Sequence, residues 1–595
     1  MRFLRHIAAV AAIMLSLPLS AQWGGSVDLS GGFGYMPQRA EDDFSLLHSL
    51  GKLGFNLHYN APKIKWNTSL GGGFENRETD FMRLSVSGWD GESTGLVDQT
   101  FKFNRVLPIS ANFRTGVLWT PTAAQSYDAW VEYKINAEDG SGVTFKDNHV
   151  SQGDKTESSS QLYVETPLQG QQKLLGGIRT IHQLGSPRLV LKGEFILEGG
   201  FRTKENQWLV ANGSDMDKQG YRSYRVNPVT ETTTISASLH LADSIITSGP
   251  CRLLLDPGVR FNSEYTDDKN SGATWDPVAE VWRDSVRLKE NFYFLAMKVE
   301  PYLAGEFSWK GVKARFDYSP QLYARRLTDD EHHQNLKLQR PYVVGKGSIG
   351  WQINPMHKVS FLNEITVRHP EYLQICWFER QGNFLTQVYR GKESLLSTQT
   401  TTFKLEYELK YKRFLSTTTL SYWTRTNEID QTFTHETVDG REYQVFTWLN
   451  AADSRNSGIT EVLGWRGRML KANLGVTYNG TLRQGRETGT VKRTTDWRLW
   501  ADAALTLPKG WTINANVNYR SNVETFFTIF SQYCALGAKI SKSFKRVDIF
   551  LEGRDLLDNE TSAEFISADE TSGWIEVSRL NRRLVLLGLQ WRFGR

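Results

Sequence analysis

Apolar and polar residues alternate one by one along many short segments of this chain. In the clearest segment, residues 511–520, the apolar positions are Trp511, Ile513, Ala515, Val517 and Tyr519. The same alternation occurs over residues 312–318, 403–411 and 470–478. Successive side chains of a β-strand point to opposite faces, so each segment predicts a strand with one apolar and one polar face. The chain is therefore expected to be all-β.

Three features favour a transmembrane barrel over a row of secreted β-sandwich domains. The apolar faces end in aromatic residues, as the interfacial girdles of membrane barrels do. Dense charge on the opposite face, as at Lys404, Glu406, Glu408 and Lys410, suits a wet lumen, although salt bridges between strands are the simpler reading. Tight turns at 411–413 and 508–510 contrast with long polar linkers at 260–289 and 426–442. No Pro/Ser-rich spacer separates domains.

We therefore predict one closed antiparallel transmembrane β-barrel over residues 22–595, with short periplasmic turns and long extracellular loops. Counting the alternating segments gives about 22 strands, an even number as expected for a bacterial single-chain barrel. A barrel of this size encloses a lumen wide enough to need an obstruction. Its lipid-facing surface makes outer-membrane lipids its first expected partners.

The first 21 residues have the pattern of a secretory signal peptide. Arg2 and Arg5 precede an apolar stretch over residues 7–19, and small residues follow. Cleavage is expected between Ala21 and Gln22, with no Cys nearby for a lipid anchor. A buried N-terminal helix is the alternative. The pattern predicts that the mature chain leaves the cytoplasm, and the barrel pattern predicts the cell outer membrane as its destination.

Composition removes several other classes of protein. No apolar run beyond the N-terminus approaches the ~20 residues that a transmembrane helix needs. Three cysteines cannot form a disulfide framework in 595 residues. The 12% of aromatic residues argues against disorder. The net charge of +5 includes Arg2 and Arg5, so the mature chain is nearly neutral and no nucleic-acid partner is expected.

The candidate sites in the sequence are weak. No nucleophile, zinc-protease or P-loop motif occurs, so an enzyme is not expected. The run 329–333 (Asp-Asp-Glu-His-His) offers metal-ligand types, but neighbouring residues rarely all turn toward one ion, and a solvated loop is the preferred interpretation. We predict no metal and no cofactor. The apolar run 375–378 (Ile-Cys-Trp-Phe) could dock a sugar or a protein, but packing within a large loop is favoured.

The last segment is strongly amphipathic. Its apolar face consists of Val585, Leu587, Leu589, Trp591 and Phe593. A final strand of this kind resembles the signal by which the barrel-assembly machinery recognises outer-membrane proteins, with the difference that Gly594 and Arg595 follow the aromatic residue. We predict that these five residues form the assembly strand.

Several motifs in about the last 230 residues resemble the barrel of TonB-dependent receptors and the related outer-membrane β-barrel family. The motifs, in chain order, are Arg368-His369-Pro370-Glu371-Tyr372-Leu373-Gln374, residues 393–407, residues 450–458, Asp555-Leu556-Leu557-Asp558-Asn559, residues 578–583 and the closing LGLQWRF. Residues 393–407 lack the Asn-Pro of the family's corresponding loop. The resemblance implies the fold of these barrels and a part in solute or nutrient uptake, or ligand binding, at the cell surface.

Nutrient importers of this family carry an N-terminal plug, often preceded by a segment that binds TonB. The first strand-like segment here, residues 26–36, follows the predicted signal peptide almost directly, so no plug is expected within this sequence. The lumen would then be blocked by inward-folded loops or by a separate plug protein. The alternative function is a non-transporting scaffold that anchors a surface lipoprotein or an envelope or secretion partner. An outer-membrane enzyme ranks last.

Overall fold

The computed structural model describes most of the chain beyond the N-terminal region. The described residues are 23–34, 48–87, 95–152, 155–159, 162–163, 165–186, 188–204, 206–209, 224–246, 250–276, 278–284, 290–329, 337–376, 379–381, 387–438, 441–557, 561–566, 572–579 and 584–594. The predicted signal peptide and its cleavage site at Ala21 and Gln22 lie outside them.

Twenty-two strands, each antiparallel to the next, form one closed barrel. Their bounds are Trp23–Gly34 (β1), His48–Asn60 (β2), Ile64–Ser87 (β3), Gly95–Thr122 (β4), Gln125–Gln152 (β5), Glu165–Gln183 (β6), Leu189–Lys204 (β7), Tyr224–Ile246 (β8), Cys251–Asp276 (β9), Glu290–Trp309 (β10), Val312–Asp329 (β11), Tyr342–Gln352 (β12), His357–Arg368 (β13), Thr398–Tyr411 (β14), Phe414–Val438 (β15), Arg441–Arg466 (β16), Leu470–Gly485 (β17), Val491–Leu507 (β18), Trp511–Arg520 (β19), Tyr533–Ser543 (β20), Val547–Arg554 (β21) and Leu584–Gly594 (β22).

The barrel closes between its last and first strands. β22 runs antiparallel to β1, from Gly24 opposite Gly594 to Phe33 opposite Val585. The predicted fold class and strand number are therefore confirmed.

Short segments extend the sheet outside the barrel strands. They are Lys155–Ser159, Leu162–Tyr163, Asn206–Leu209, Val281–Asp284, Lys337–Leu338, Glu379–Gln381, Gln387–Arg390, Val523–Glu524, Thr528–Phe530, Thr561–Ile566 and Ser572–Arg579. A helical turn, Tyr372–Ile375 (α1), and a 3₁₀ turn, Pro508–Gly510, complete the described elements. Within the described ranges, no helix has the length and apolar character needed to cross a membrane.

One end of the barrel has only tight turns, of two to five residues, between consecutive strands. Lys412, between β14 and β15, and Lys509, between β18 and β19, have left-handed backbone angles, with φ of 54° and 62°. Gly510 follows with φ of 78°, where a Cβ atom would approach the carbonyl oxygen of Ser543 within 2.7 Å. The predicted short turns at 411–413 and 508–510 are confirmed.

The opposite end, which we call the barrel mouth, corrects part of the sequence prediction. Residues 260–289 and 426–442 were expected to be long loops. Instead, β9 continues to Asp276, and β15 continues to Val438, where it pairs with Arg441 of β16. Beyond the membrane both faces of a strand meet water or polar loops, so apolar alternation stops although the ladder continues. Two successive register shifts interrupt the β15–β16 ladder, between Arg425 and Glu428 and between Glu428 and Ile429.

The outward face of the barrel carries the apolar side chains. Its exposed residues include Leu239, Leu405, Leu420, Ile459 and Val476. Aromatic residues bound this apolar belt at two levels, with Trp119, Trp309, Trp351, Trp465 and Trp511 near the tight turns and Phe403, Tyr422, Tyr478, Trp497 and Tyr519 toward the mouth. The two levels match the interfacial girdles of a transmembrane barrel.

The predicted assembly strand is β22. Val585, Leu587 and Leu589 are exposed on its outward face, and Leu586 between them is buried. Trp591 lies opposite Val547 of β21 and Val27 of β1. Phe593 occupies the same face by alternation, although only its backbone is described. The role of the five residues in assembly remains a prediction.

Candidate functional site at the barrel mouth

Charged residues on the inner wall are largely paired with each other. Lys173 of β6 pairs with Glu198 of the neighbouring β7 at 2.6 Å, and Arg260 of β9 reaches across β10 to Asp317 of β11 at 2.5 Å. In the segment singled out from the sequence, Lys410 contacts Glu408 of the same strand at 2.6 Å. Ser360 of β13 donates a hydrogen bond to Glu406 at 3.4 Å. These contacts support salt bridging as the main role of the inward charges.

Near the mouth the inner wall changes from charged to apolar. Phe292 and Phe294 of β10 and Tyr323 and Leu327 of β11 are buried. They share the inward face with Lys298, which lies opposite Tyr323, and with Asp317, six residues closer to the tight turn than Tyr323. Apolar side chains facing a water-filled lumen would be exposed, so their burial requires a covering element.

The loop from His369 to Ser397 between β13 and β14, here called the inner loop, is that cover. Its helical turn α1 carries a capping box, in which Glu371 and Gln374 satisfy each other's backbone amides. Ile375, Cys376 and Leu395 are buried in one cluster with the four wall residues. The sequence favoured packing for the run 375–378, and Ile375 and Cys376 pack in this way, whereas residues 377 and 378 lie outside the described ranges.

His369 attaches the start of the inner loop to the wall. Its ring stacks on Tyr323, with centroids 3.5 Å apart and an interplanar angle of 9°. Its two ring nitrogens lie 2.7 Å from Gln321 Oε1 and 2.8 Å from Ser397 Oγ. Burial, together with the positive charges of Lys298 and Arg325, lowers the pKa of His369 from 6.5 to about 3. The imidazole is therefore neutral at physiological pH.

Arg325 attaches the other end of the inner loop. This guanidinium points inward from β11 and is only 8% exposed. It donates hydrogen bonds to the backbone carbonyls of Glu393, at 3.0 Å, and Leu395, at 3.4 Å. Lys337 adds an ion pair with the Glu393 carboxylate. Because the buried Arg325 guanidinium donates its hydrogen bonds to backbone carbonyls, it fixes the backbone of the inner loop and not only its side chains.

The long β15–β16 hairpin continues this cover across the mouth. Ile429 and Trp448 of the hairpin pack against the wall cluster. The loop strand Gln387–Arg390 pairs in parallel with Gln444–Phe446 of β16, and Tyr389 stacks on Phe446 at 5.0 Å. Arg390 and Glu436 form a two-pronged ion pair, at 2.8 and 3.0 Å. The inner loop and the hairpin therefore form one connected structure.

A second loop, residues 521–532 between β19 and β20, joins the hairpin from the other side. Phe526 and Phe527 are buried against Ala451 and Ala452 of β16. Their backbone amides both donate to the same oxygen of Asp430, each at 3.1 Å. The wall strands β10 and β11, the inner loop and the 521–532 loop thus all contact the β15–β16 hairpin at the mouth or each other.

Sequence reasoning did not single out Arg325, Asp430 or the role of His369. His369 stood within a family-like motif, but its partner Tyr323 lies on another strand, which no local pattern reveals. Of the metal-ligand run 329–333, only Asp329 is described. Among the described residues, no group of three or more His, Cys, Asp or Glu side chains is placed to hold a metal.

Comparison with known proteins agrees with this architecture. Residues 346–591 match the model of the outer membrane protein beta-barrel family. The chain has the fold of an outer-membrane β-barrel. No curated protein matches it in sequence. Among solved structures, this barrel resembles the ferric citrate transporter FecA in its unliganded form, with 9% identity and a TM-score of 0.64 over 97% of this chain and 79% of that one.

Two further solved structures resemble this outer-membrane barrel. The siderophore receptor PiuA from Acinetobacter baumannii is 11% identical, with a TM-score of 0.60 over 96% of this chain and 82% of that one. The copper transporter OprC is 10% identical, with a TM-score of 0.61 over 96% and 83%. The resemblance to TonB-dependent receptor barrels predicted from the sequence is thereby confirmed for the fold.

Proposed function

We propose that this outer-membrane barrel binds a solute at the cell surface and takes part in its uptake. The observation that carries the proposal is the inner loop, which packs on the lumenal wall at the mouth through Tyr323, Arg325 and the apolar cluster. A loop held inside a barrel of this width both narrows the path and offers residues to a ligand. The similar structures are those of transporters and receptors, which is consistent with such a role.

No enzymatic role is proposed. Several titratable groups among the described residues of the mouth are engaged in structural contacts, as Asp430 is bound by two amides and Arg390 is paired with Glu436. Catalysis requires a nucleophile and a base within hydrogen-bonding reach of each other and open to a substrate. From these pairings we infer that the mouth binds a solute and lets it pass.

Planar-bilayer conductance and liposome swelling on the purified mature chain test this function. The comparison is with a variant whose residues 371–395 are replaced by a Gly/Ser linker of equal length, which removes the wall contacts and keeps the chain length. We expect higher conductance and faster solute entry in the variant. Electrophoretic mobility of unheated samples controls for folding. A chain that neither conducts nor binds any solute, alone or with the products of neighbouring genes, contradicts the proposal.

The second candidate function is a scaffold that anchors a surface lipoprotein or an envelope partner. The length of the β15–β16 hairpin favours it, because strands of 25 and 26 residues exceed the roughly 9–11 residues that cross a membrane. The protruding strands would offer a partner an ordered surface. A stoichiometric partner in gentle detergent extracts is expected, and its absence argues against the scaffold. A separate plug protein would also be found in this way.

Two expectations about the mature chain complete the proposal. Residues 1–21 are proposed to be removed on export, so that the mature protein begins at Gln22. The barrel is proposed to function without a plug of its own. Intact-mass measurement of the protein from outer membranes tests both, since the mature mass fixes the first residue.

A further inference from the structure

Two arginine residues lie directly opposite each other on the inner wall of the barrel. Arg498 of β18 pairs in register with Arg520, the last residue of β19 before the 521–532 loop. Their strand neighbours Trp497 and Tyr519 pack together on the outward face, with ring centroids 4.6 Å apart, so the arginines face the lumen. Cβ atoms of such cross-strand neighbours are about 4.5–5.5 Å apart. The two guanidinium groups therefore share one stretch of the wall, which we call the arginine pair.

The arginine pair has fewer partners than the inward charges described above. Arg498 is 57% exposed, and its Nε lies 3.7 Å from Asp496, which also accepts a hydrogen bond from Asn479. Arg520 forms no ion pair or side-chain hydrogen bond within the described part of the chain, and its Nε is buried without an acceptor. Like charges directly opposite each other destabilise a sheet. The pair therefore lacks an acceptor that an anion in the lumen can supply.

An indole ring lies beside the arginine pair, one step closer to the tight turns. Trp500 follows Arg498 on the inner face of β18 and lies opposite Gly475 of β17. A Cβ atom at Gly475 would lie 2.2 Å from this ring, and Gly475 is buried, so the ring lies across the glycine. Trp500 itself is partly exposed. Its exposed surface offers an apolar area to a solute in the lumen.

Two amide side chains continue this surface on the neighbouring strand. Asn518 of β19 lies opposite Trp500, and Asn516 lies opposite Asp502. Both amide side chains are exposed, and neither forms a hydrogen bond with another described residue. Asp502 is also exposed and accepts a hydrogen bond from Asn473 at 2.8 Å. An amide carries both donors and an acceptor, so these side chains can bind hydroxyl groups in either direction.

We propose that this wall binds a saccharide that carries a carboxylate. The planar fork of arginine matches a carboxylate, so Arg498 and Arg520 hold the anionic group between them. The C–H face of the sugar ring packs on the exposed indole of Trp500, and its hydroxyls bond Asn516 and Asn518. A simple anion would use only the arginines, and a neutral sugar would leave them without an anion. The assignment rests on the proposed function and names the class of its solute.

The test is isothermal titration calorimetry of the purified mature full chain in detergent, at one fixed low ionic strength. The probes are trigalacturonate, maltotriose, which has no carboxylate, and tricarballylate, which has three carboxylates and no sugar ring. Trigalacturonate should bind at least about tenfold more tightly than either of the others. Absence of trigalacturonate binding overturns the proposal, and so does equal binding of trigalacturonate and either comparison solute.

Four variants locate the site. Arg520→Met should weaken trigalacturonate binding at least about tenfold, and Trp500→Leu about fivefold. Arg315→Met and Trp423→Leu are the matched controls on the inner wall, because both side chains already have partners within the chain. The controls should keep the wild-type affinity. The proposal is overturned if Arg520→Met and Trp500→Leu bind as tightly as the controls.

Unheated gel mobility checks that each variant is folded, and Arg498→Met takes the place of Arg520→Met should the latter not fold. Solute entry into liposomes separates this inference from the proposed function. A chain that binds trigalacturonate as described without admitting it supports the site and contradicts uptake. A chain that admits other solutes without binding trigalacturonate overturns the site and leaves the proposed function standing.

Discussion

Replacing Arg325 by Met should release the end of the inner loop from the barrel wall. The substitution keeps the length and the apolar part of the side chain and removes the hydrogen bonds to the carbonyls of Glu393 and Leu395. A hydrogen bond to a charged group contributes about 1.5–3 kcal/mol. The 3.4 Å bond is long, and the deleted charge no longer has to be desolvated, so the net loss is about 2 kcal/mol. That free energy corresponds to a roughly 30-fold rise in the released population.

Hydrogen exchange measures this release directly. The amide of Lys392 donates to Gln374 at 2.7 Å and that of Leu395 to Lys392 at 3.2 Å, so both report on the docked loop. In Arg325→Met their exchange should accelerate roughly 30-fold, the factor that corresponds to about 2 kcal/mol.

Arg315→Met is the matched control for this substitution. Arg315 points inward from the same strand, bonds Glu306, and is 67% exposed. Its replacement should leave the amides of the inner loop unchanged. Equal exchange in the wild type and Arg325→Met would refute the assignment of Arg325 as the anchor.

Three further predictions follow from the mouth and the wall. Asp430→Ala removes the acceptor of the Phe526 and Phe527 amides and should destabilise the 521–532 loop by about 2 kcal/mol, seen as faster proteolysis there, with Asp430→Asn intermediate. The docked inner loop lowers the pKa of His369 from 6.5 to about 3, so docking should be most stable above pH 6.5 and weaken as the pH falls toward 3. Single-channel recordings should therefore show more frequent channel opening at lower pH. His369→Gln should make the opening frequency less dependent on pH. Gly475→Val places a Cβ atom 2.2 Å from the Trp500 ring and should cost about 1–3 kcal/mol, read as a lower urea midpoint of barrel unfolding.

The strands of the barrel wall could be predicted from the sequence because the side-chain pattern of each strand depends only on its own residues. At 403–411 and 511–520 every second side chain meets lipid, so the membrane imposes a period of two on the residues themselves. The segments 260–276 and 426–438 were assigned to loops because, past the membrane, neither face is required to be apolar. Only the partner strand shows that they remain in the ladder.

The contacts of the mouth could not be predicted in the same way. His369 and Tyr323 are 46 positions apart, and Arg325 and Glu393 are 68 apart. Nothing in either local sequence specifies the partner, because the stacking and the hydrogen bonds depend on how the inner loop returns across the wall.

The register shifts between Arg425 and Ile429 divide the β15–β16 hairpin into two parts. On the membrane side, β15 and β16 are held in register by neighbours on both sides. Beyond the shifts, the paired strands leave the barrel ladder, while at the shifts Asn427 accepts a hydrogen bond from Arg486 and donates its backbone amide to Asp453. An interrupted ladder bends more easily than a continuous one. The outer part of the hairpin can therefore bend to pack against the inner loop and the wall residues of β10 and β11, while the membrane part keeps its register.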